Sequence, residues 1–85
     1  MKSPGKWTNR RAQYMLEQLK AMLAGVSFIP FVVKVNDGSA YPVPSREHAW
    51  LGSGRSGLLF VEDDRGSVQI VALRNISSLE ILRAS

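Results

Sequence analysis

Short apolar segments separated by turn signals constrain the fold of this chain more than any other feature. Phe31, Val33 and Val35 occupy every second position of residues 31–36, which is the period of a half-buried β-strand. The next residues, Asn36-Asp37-Gly38, turn the chain. This stretch therefore predicts a β-hairpin with one buried face.

The length of this turn decides which side chains of the second strand face inward. A two-residue loop, Asp37-Gly38, would place Ala40 and Pro42 on the inner face. A three-residue loop with a bulge at Gly38 would place Tyr41 and Val43 there instead. Because the second alternative buries the larger apolar side chains, we expect the three-residue loop.

Further apolar runs predict more strands. Residues 57–62 and 67–73 flank the turn Asp63-Asp64-Arg65-Gly66 and predict a second hairpin. Residues 76–82 predict a last strand, which follows a tight bend at Arg74-Asn75.

The segment between the two hairpins is ambiguous. Pro42 and Pro44 bend or end the second strand, and extended structure resumes at His48–Leu51, before Gly52. We therefore count about five strands. Five short antiparallel strands on so little chain predict a small, strongly bent five-stranded antiparallel barrel of the SH3-like type.

One amphipathic helix precedes the strands. Thr8 is a suitable N-cap, Trp7 can pack on the first turn as a hydrophobic staple, and Gly25 stands where a left-handed C-cap residue is expected. These signals predict a helix over residues 9–24. Its apolar residues recur at spacings of three and four and form one buried stripe: Ala12, Met15, Leu16, Leu19, Met22 and Leu23.

Length and composition fit one mainly β domain with one N-terminal helix. The 85 residues divide into a basic tail (1–8), the helix (9–24) and the β-barrel (28–82).

The chain has no cysteine, which excludes disulfides and thiolate chemistry. Its apolar runs are too short to span a bilayer, and Glu17 and Lys20 interrupt any secretory signal. We expect a cytoplasmic protein that does not enter a membrane.

The positive charge is concentrated in the leading segment. Residues 1–25 contain Lys2, Lys6, Arg10, Arg11 and Lys20 against Glu17 alone, whereas six cations balance six acids in residues 26–85. The whole net charge of +4 therefore lies on the tail and the helix. Such a one-sided basic surface suits a polyanion, although an ordinary solvated face is the plain alternative.

No motif predicts catalysis, a cofactor or a metal site. Residues 52–57 match a dinucleotide-binding fingerprint literally, but they precede a strand and open no helix. His48 is the only histidine and has no nucleophile at motif spacing. The acids Glu62-Asp63-Asp64 are ordinary for a hairpin turn. We therefore expect a protein that is not an enzyme, without a small-molecule substrate.

The order of these elements resembles the Sm-like family, which includes the Hfq-type bacterial RNA chaperones. The resemblance rests on the helix ending Leu19-Lys20, on the three segments 31–38, 58–61 and 74–81, and it covers most of residues 12–82. It implies a homo-oligomeric ring of five to seven subunits with the helices on one face, and RNA as a partner.

Two departures from the Hfq-type pattern affect the expected RNA site. Where those proteins have a Lys-His pair before the last strand, this chain has Leu73-Arg74. The aromatic residue that stacks bases before their central strand has no equivalent in residues 53–57. A uridine-specific pocket in the pore is therefore not expected.

These observations lead to two hypotheses. The first is a ring-forming Sm-like protein that binds RNA or another polyanion through its basic helix face. The second is a structural or protein-interaction module with no nucleic-acid role. In the first, the candidate nucleic-acid-binding residues are those of the basic cluster and of the two turns expected nearest a pore: Lys6, Trp7, Arg10, Arg11, Arg55, Arg74 and Asn75.

Overall fold

A computed structural model describes residues 10–53 and 56–82 of the chain. One helix, α1 (Arg10–Ala24), is followed by six strands. The strands are β1 (Phe31–Val35), β2 (Ala40–Val43), β3 (Ala49–Leu51), β4 (Leu58–Glu62), β5 (Val68–Ala72) and β6 (Ile76–Ile81). Single turns of 3-10 helix precede β3 (Arg46–His48) and β6 (Leu73–Asn75).

The strands form two antiparallel sheets of three strands each, in the orders β2-β1-β6 and β3-β4-β5. The prediction of a single five-stranded barrel was therefore wrong, since the described strands number six and close no barrel. The break falls at the prolines of the ambiguous segment. Pro44 follows the last residue of β2, and the 3-10 turn Arg46–His48 then separates β2 from β3.

The register of the first hairpin is the one expected from a three-residue loop. Val33 pairs with Tyr41, and Phe31 pairs with Val43, which is fully buried. The Val35 amide donates to the Ser39 carbonyl, and Gly38 has a φ of +94°. A residue with a side chain would be strained at that φ, so glycine fixes which face of β2 is buried.

The second hairpin, β4–β5, also turns where the sequence predicted. The Asp63 amide donates to the Ser67 carbonyl across the turn, and the Asp63 carboxylate accepts hydrogen bonds from the amides of Arg65 and Ser67, at 2.8 and 2.9 Å. Gly66 takes the positive φ of +85° that closes the turn. The Asp63 carboxylate therefore stabilises the hairpin backbone, as ordinary turn chemistry requires.

One apolar core joins the helix to the inner faces of both sheets. Met15 and Leu19 are the buried residues of α1, and they complete a cluster that both sheets supply. The largest side chains that are fully buried are Phe31, Leu19, Leu59, Leu73, Ile76, Val33 and Val43. The apolar stripe of the helix therefore packs inward, as its periodicity predicted.

The C-terminal end of α1 differs from the expectation. Gly25 was expected in the left-handed conformation, but the described glycines with positive φ are Gly38, Gly57 and Gly66. Instead, the Arg46 guanidinium donates to the Gly25 carbonyl and lies 5.9 Å from the centre of the Phe28 ring. A cation at this end also suits the helix dipole.

Within the described residues, no helix has the length and apolar character needed to cross a membrane.

Candidate nucleic-acid interface

Helix α1 carries exposed positive charge. Arg10, Arg11 and Lys20 are exposed, as is the single helix acid, Glu17. Arg10 and Lys20 are separated by about 15 Å along the helix axis at 1.5 Å per residue. Met15 and Leu19 hold one side of the helix in the core. Arg11 and Lys20 are separated by about 2.5 turns, so these two exposed cations project to opposite sides of the helix, and Glu17 lies between Arg10 and Lys20.

Charge is separated between the helix and the strands. Residues 26–85 contain six cations and six acids, whereas α1 has three cations and one acid. The salt bridge of the described chain joins Lys34 of β1 to Glu80 of β6, with 3.0 Å between Nζ and Oε1. The helix cations are therefore not neutralised by any described carboxylate within salt-bridge distance.

Two further candidate residues lie on the 3-10 turn before β6. Leu73 is buried and donates its amide to the Gly57 carbonyl, while the side chains of Arg74 and Asn75 are exposed. The Asn75 carbonyl accepts from the Asn36 amide. Since α1 packs against this turn, Arg74 and Asn75 lie on an element that contacts the basic helix.

The remaining predicted site residues are Lys6, Trp7 and Arg55. All three lie outside the described residues, as do the expected N-cap Thr8 and the basic tail. The structure therefore places Arg10, Arg11, Arg74 and Asn75 and leaves the other positions as predictions.

The only histidine has a local structural contact. His48 is half-buried at the end of the 3-10 turn before β3, and its Nδ1 lies 2.8 Å from the Ser45 hydroxyl. No group of three or more potential metal ligands occurs among residues 10–53 and 56–82. His48 thus serves the turn between the two sheets.

A shallow groove runs between α1 and β6. It has a volume of about 300 Å³ and is lined by Tyr14, Gln18 and Met22 of the helix and by Ser78 and Ile81 of the strand. The groove lies beside β6, which is the last strand of its sheet.

The sequence interpretation missed a row of apolar side chains across the outer face of the second sheet. Trp50 of β3 pairs with Phe60 of β4, which pairs with Ile70 of β5. The Trp50 and Phe60 rings are stacked, with centroids 5.7 Å apart and planes 6° apart. Trp50 is 42% exposed and Ile70 is 63% exposed.

A sequence signal for this row was present. The segment Leu58-Leu59-Phe60-Val61 is apolar at every position, which is typical of a strand with apolar residues on both faces. Leu59 and Val61 are buried in the core, so Phe60 must lie on the other side. The pairing of Phe60 with Trp50 depends on the register of β3, which the sequence left open.

Comparisons of this chain with models of known protein families, with curated proteins and with solved structures found no significant match.

Proposed function

We propose that this chain is an Sm-like protein of the cytoplasm that assembles into a ring and binds single-stranded RNA through its basic helix face. The observation that carries the proposal is that α1 has three exposed cations and one acid, whereas the positive and negative charges of residues 26–85 balance. Phosphates are attracted to a segment with such an excess of positive charge. The N-terminal helix followed by short antiparallel strands is the order on which the family resemblance rests.

The edges of the two sheets support assembly. Four described strands lie at sheet edges: β2, β6, β3 and β5. Pro42 lacks the amide hydrogen that a partner would need at β2, and β3 has only three residues. The longer edges, β5 and β6, have five and six residues and contain no proline. Exposed edges of this kind readily pair with another chain.

Pairing of β5 with β6 of a neighbour would repeat the same contact by rotation and close a ring. Each added subunit would bring its own α1 cations, so that the positive field adds up over the particle. Light scattering of the purified chain at micromolar concentration tests this part. We expect a multi-subunit particle, and a mass of one or two subunits would contradict the ring.

RNA binding is tested by fluorescence anisotropy with a single-stranded RNA at increasing salt. We expect an affinity that falls steeply with salt. Each phosphate contact on a single strand makes the slope of the logarithm of the binding constant against the logarithm of the salt concentration more negative by about 0.7. Arg11→Gln removes one helix cation and should lower both affinity and slope. The matched control is Arg65→Gln, which removes one exposed cation from the β4–β5 turn and should change either value much less.

The second candidate is a protein-interaction module without a nucleic-acid role. The exposed apolar row of Trp50, Phe60 and Ile70 favours it, because contiguous apolar surface often marks a protein contact. Affinity capture with and without nuclease separates the two candidates. Partners that survive nuclease, together with salt-independent or absent RNA binding, would favour the second.

A further inference from the structure

Large apolar side chains are exposed on the two open edge strands β5 and β6. Val68 and Ile70 of β5 are 44% and 63% exposed, and Ile81 at the end of β6 is 45% exposed. All five residues of β5 are uncharged, although edge strands are usually protected from pairing by a charge, a proline or a bulge. The edge of β5 is therefore suited to pairing with another strand.

The groove between α1 and β6 lies at the unpaired edge of β6. Its walls come from α1 and β6 and include no residue of β1, which pairs with the other edge of β6. Leu79 pairs with the fully buried Val33, and Ile81 pairs in the same way with a buried residue of β1. The side chains of Leu79 and Ile81 therefore lie on the helix side of the sheet. A strand that pairs with β6 would place alternate side chains next to them, in the groove.

The charges of the two surfaces determine which face of β5 would enter the groove. Val68 and Ile70 occupy alternate positions and so share one face of β5, and the residues that line the groove are all uncharged. The other face of β6 carries Glu80, which Lys34 binds. Placing Val68 and Ile70 in the groove therefore buries no unpaired charge, whereas the opposite orientation would set them against this salt bridge.

Only a contact between unlike edges covers both surfaces at once. Contact of β5 with β5 of a second copy, or of β6 with β6, would leave the other edge unpaired. The five residues of β5 also match the six of β6 in length. One β5 strand can therefore pair along nearly the whole of β6.

We infer that the groove between α1 and β6 binds Val68 and Ile70 of a neighbouring copy of this chain. The inference rests on the proposed function, since it specifies the side chains that form the contact between ring subunits. Ile70 is the middle residue of β5, and Gln18 lies one helical turn from both Tyr14 and Met22 in the wall of the groove. The neighbour's Ile70 therefore lies near Gln18 whichever way its strand runs.

A charge pair across the contact tests the inference. Ile70→Lys puts an ammonium group into the uncharged groove, and light scattering of nuclease-treated protein should show the particle mass fall to that of one subunit. Gln18→Glu in the same chain supplies a carboxylate at every contact and should restore the native mass. Gln18→Lys is the matched control, because it adds a second cation at the same exposed position and should not restore the mass.

The outcomes separate this contact from the proposed function. A native mass for Ile70→Lys, or equal behaviour of the two Gln18 substitutions, would overturn the inference and leave the ring standing. A single-subunit mass for the wild-type chain would remove the ring together with the inference. Absence of RNA binding by a particle that shows the expected charge-pair behaviour would remove the RNA role and support the inference.

A covalent measurement decides the question if Ile70→Lys folds poorly. The chain has no cysteine, so Gln18→Cys and Ile70→Cys introduce the only thiols. With a short bis-maleimide, the variant that contains both substitutions should give a ladder of linked chains on a denaturing gel, whereas each single variant should remain one chain. Linkage in a single variant, which would mean that like surfaces meet, or the lack of a ladder from the double variant would overturn the inference.

Discussion

The outer faces of the two sheets differ in chemistry although their inner faces share one core. On the β2-β1-β6 sheet, Lys34 and Glu80 form a salt bridge across the outer face. On the β3-β4-β5 sheet, the outer face presents Trp50, Phe60 and Ile70 in one row. The first face is suited to water, whereas the second exposes apolar area that folding of the isolated chain does not require.

The inner faces of the sheets therefore serve the stability of the fold, whereas the outer face of the second sheet is available for binding. Burial of apolar surface stabilises the fold, and both inner faces contribute to it through the same cluster. An apolar side chain that stays exposed, such as Ile70, gives little of that stabilisation. Substitutions on inner faces should therefore affect unfolding, and substitutions on the outer face of the second sheet should affect interactions.

The largest expected effect is on the shared core. Phe31→Ala and Leu59→Ala each remove a fully buried side chain from a different sheet. We expect losses of about 3–5 and about 2–5 kcal/mol in the free energy of unfolding, respectively. Urea titration followed by circular dichroism measures both. The control is Ile70→Ala, which should lie within about 0.5 kcal/mol of wild type. A Leu59→Ala loss as small as the control would contradict a common core.

A smaller effect concerns the aromatic stack of the second sheet. A double-mutant cycle of Trp50→Leu and Phe60→Leu should give a coupling energy of about 0.5–1.5 kcal/mol. The reference cycle combines Trp50→Leu with Tyr14→Leu, an exposed aromatic residue on α1, and should give no measurable coupling. Equal coupling in the two cycles would mean that the stacked rings do not stabilise each other.

The salt bridge of the first sheet should contribute less. The side chains of Lys34 and Glu80 are 47% and 54% exposed, so solvent screens their attraction. A double-mutant cycle of Lys34→Ala and Glu80→Ala should give a coupling energy of about 0.2–1 kcal/mol at low salt and a smaller one in concentrated salt. The measurement is urea unfolding at two salt concentrations. Coupling that is independent of salt would contradict a screened surface pair.

The smallest effect comes from the turn of the first hairpin. The backbone amide of Ser39 donates to the Asp37 carboxylate at 2.8 Å, and this hydrogen bond holds the pKa of Asp37 below its ordinary value of 3.8. A lowered pKa in the folded state stabilises the protein above the ordinary pKa, and this stabilisation is lost as pH falls through the lower folded value.

Asp37→Asn should therefore be less stable than wild type at neutral pH, and the difference should shrink when the pH falls below 3.8. Urea unfolding at neutral and acidic pH measures this change. Asp64→Asn removes a charge from the other hairpin and serves as the comparison. A wild-type advantage over Asp37→Asn that grows in acid would contradict the role given to the Ser39 hydrogen bond.

Local signals predicted much of this fold correctly. The apolar stripe of the helix, the register at Gly38 and the turn closed by Gly66 each depend on residues close together in the chain. The end of α1 could not be predicted in this way. Gly25 gave a local C-cap signal, but its φ is not positive and its carbonyl accepts a hydrogen bond from Arg46, whose position depends on the turn between β2 and β3.

The candidate functional residues also fall into those that a local signal predicted and those that depend on contacts distant in the chain. The cations of α1 were predicted from a local excess of charge, and the structure places Arg10 and Arg11 on the exposed face. The stack of Trp50 and Phe60 was missed, because it requires the register between β3 and β4. The intervening segment, residues 52–57, is rich in glycine and serine and sets no register by its pattern.

The pairing of Phe31 with Ile81 makes the contacts of the first sheet longer in range along the chain than those of the second sheet. The β3-β4-β5 sheet uses strands that are consecutive in the chain, so short loops suffice to assemble it. The β2-β1-β6 sheet needs β1 to meet β6 across the four strands between them, and closing so long a loop is slow. We therefore expect the β1–β2 hairpin to form first, with one side of β1 unpaired until β6 pairs with it. During that interval the vulnerable strand is β1, and we expect it to be the first site of misfolding or protease cleavage.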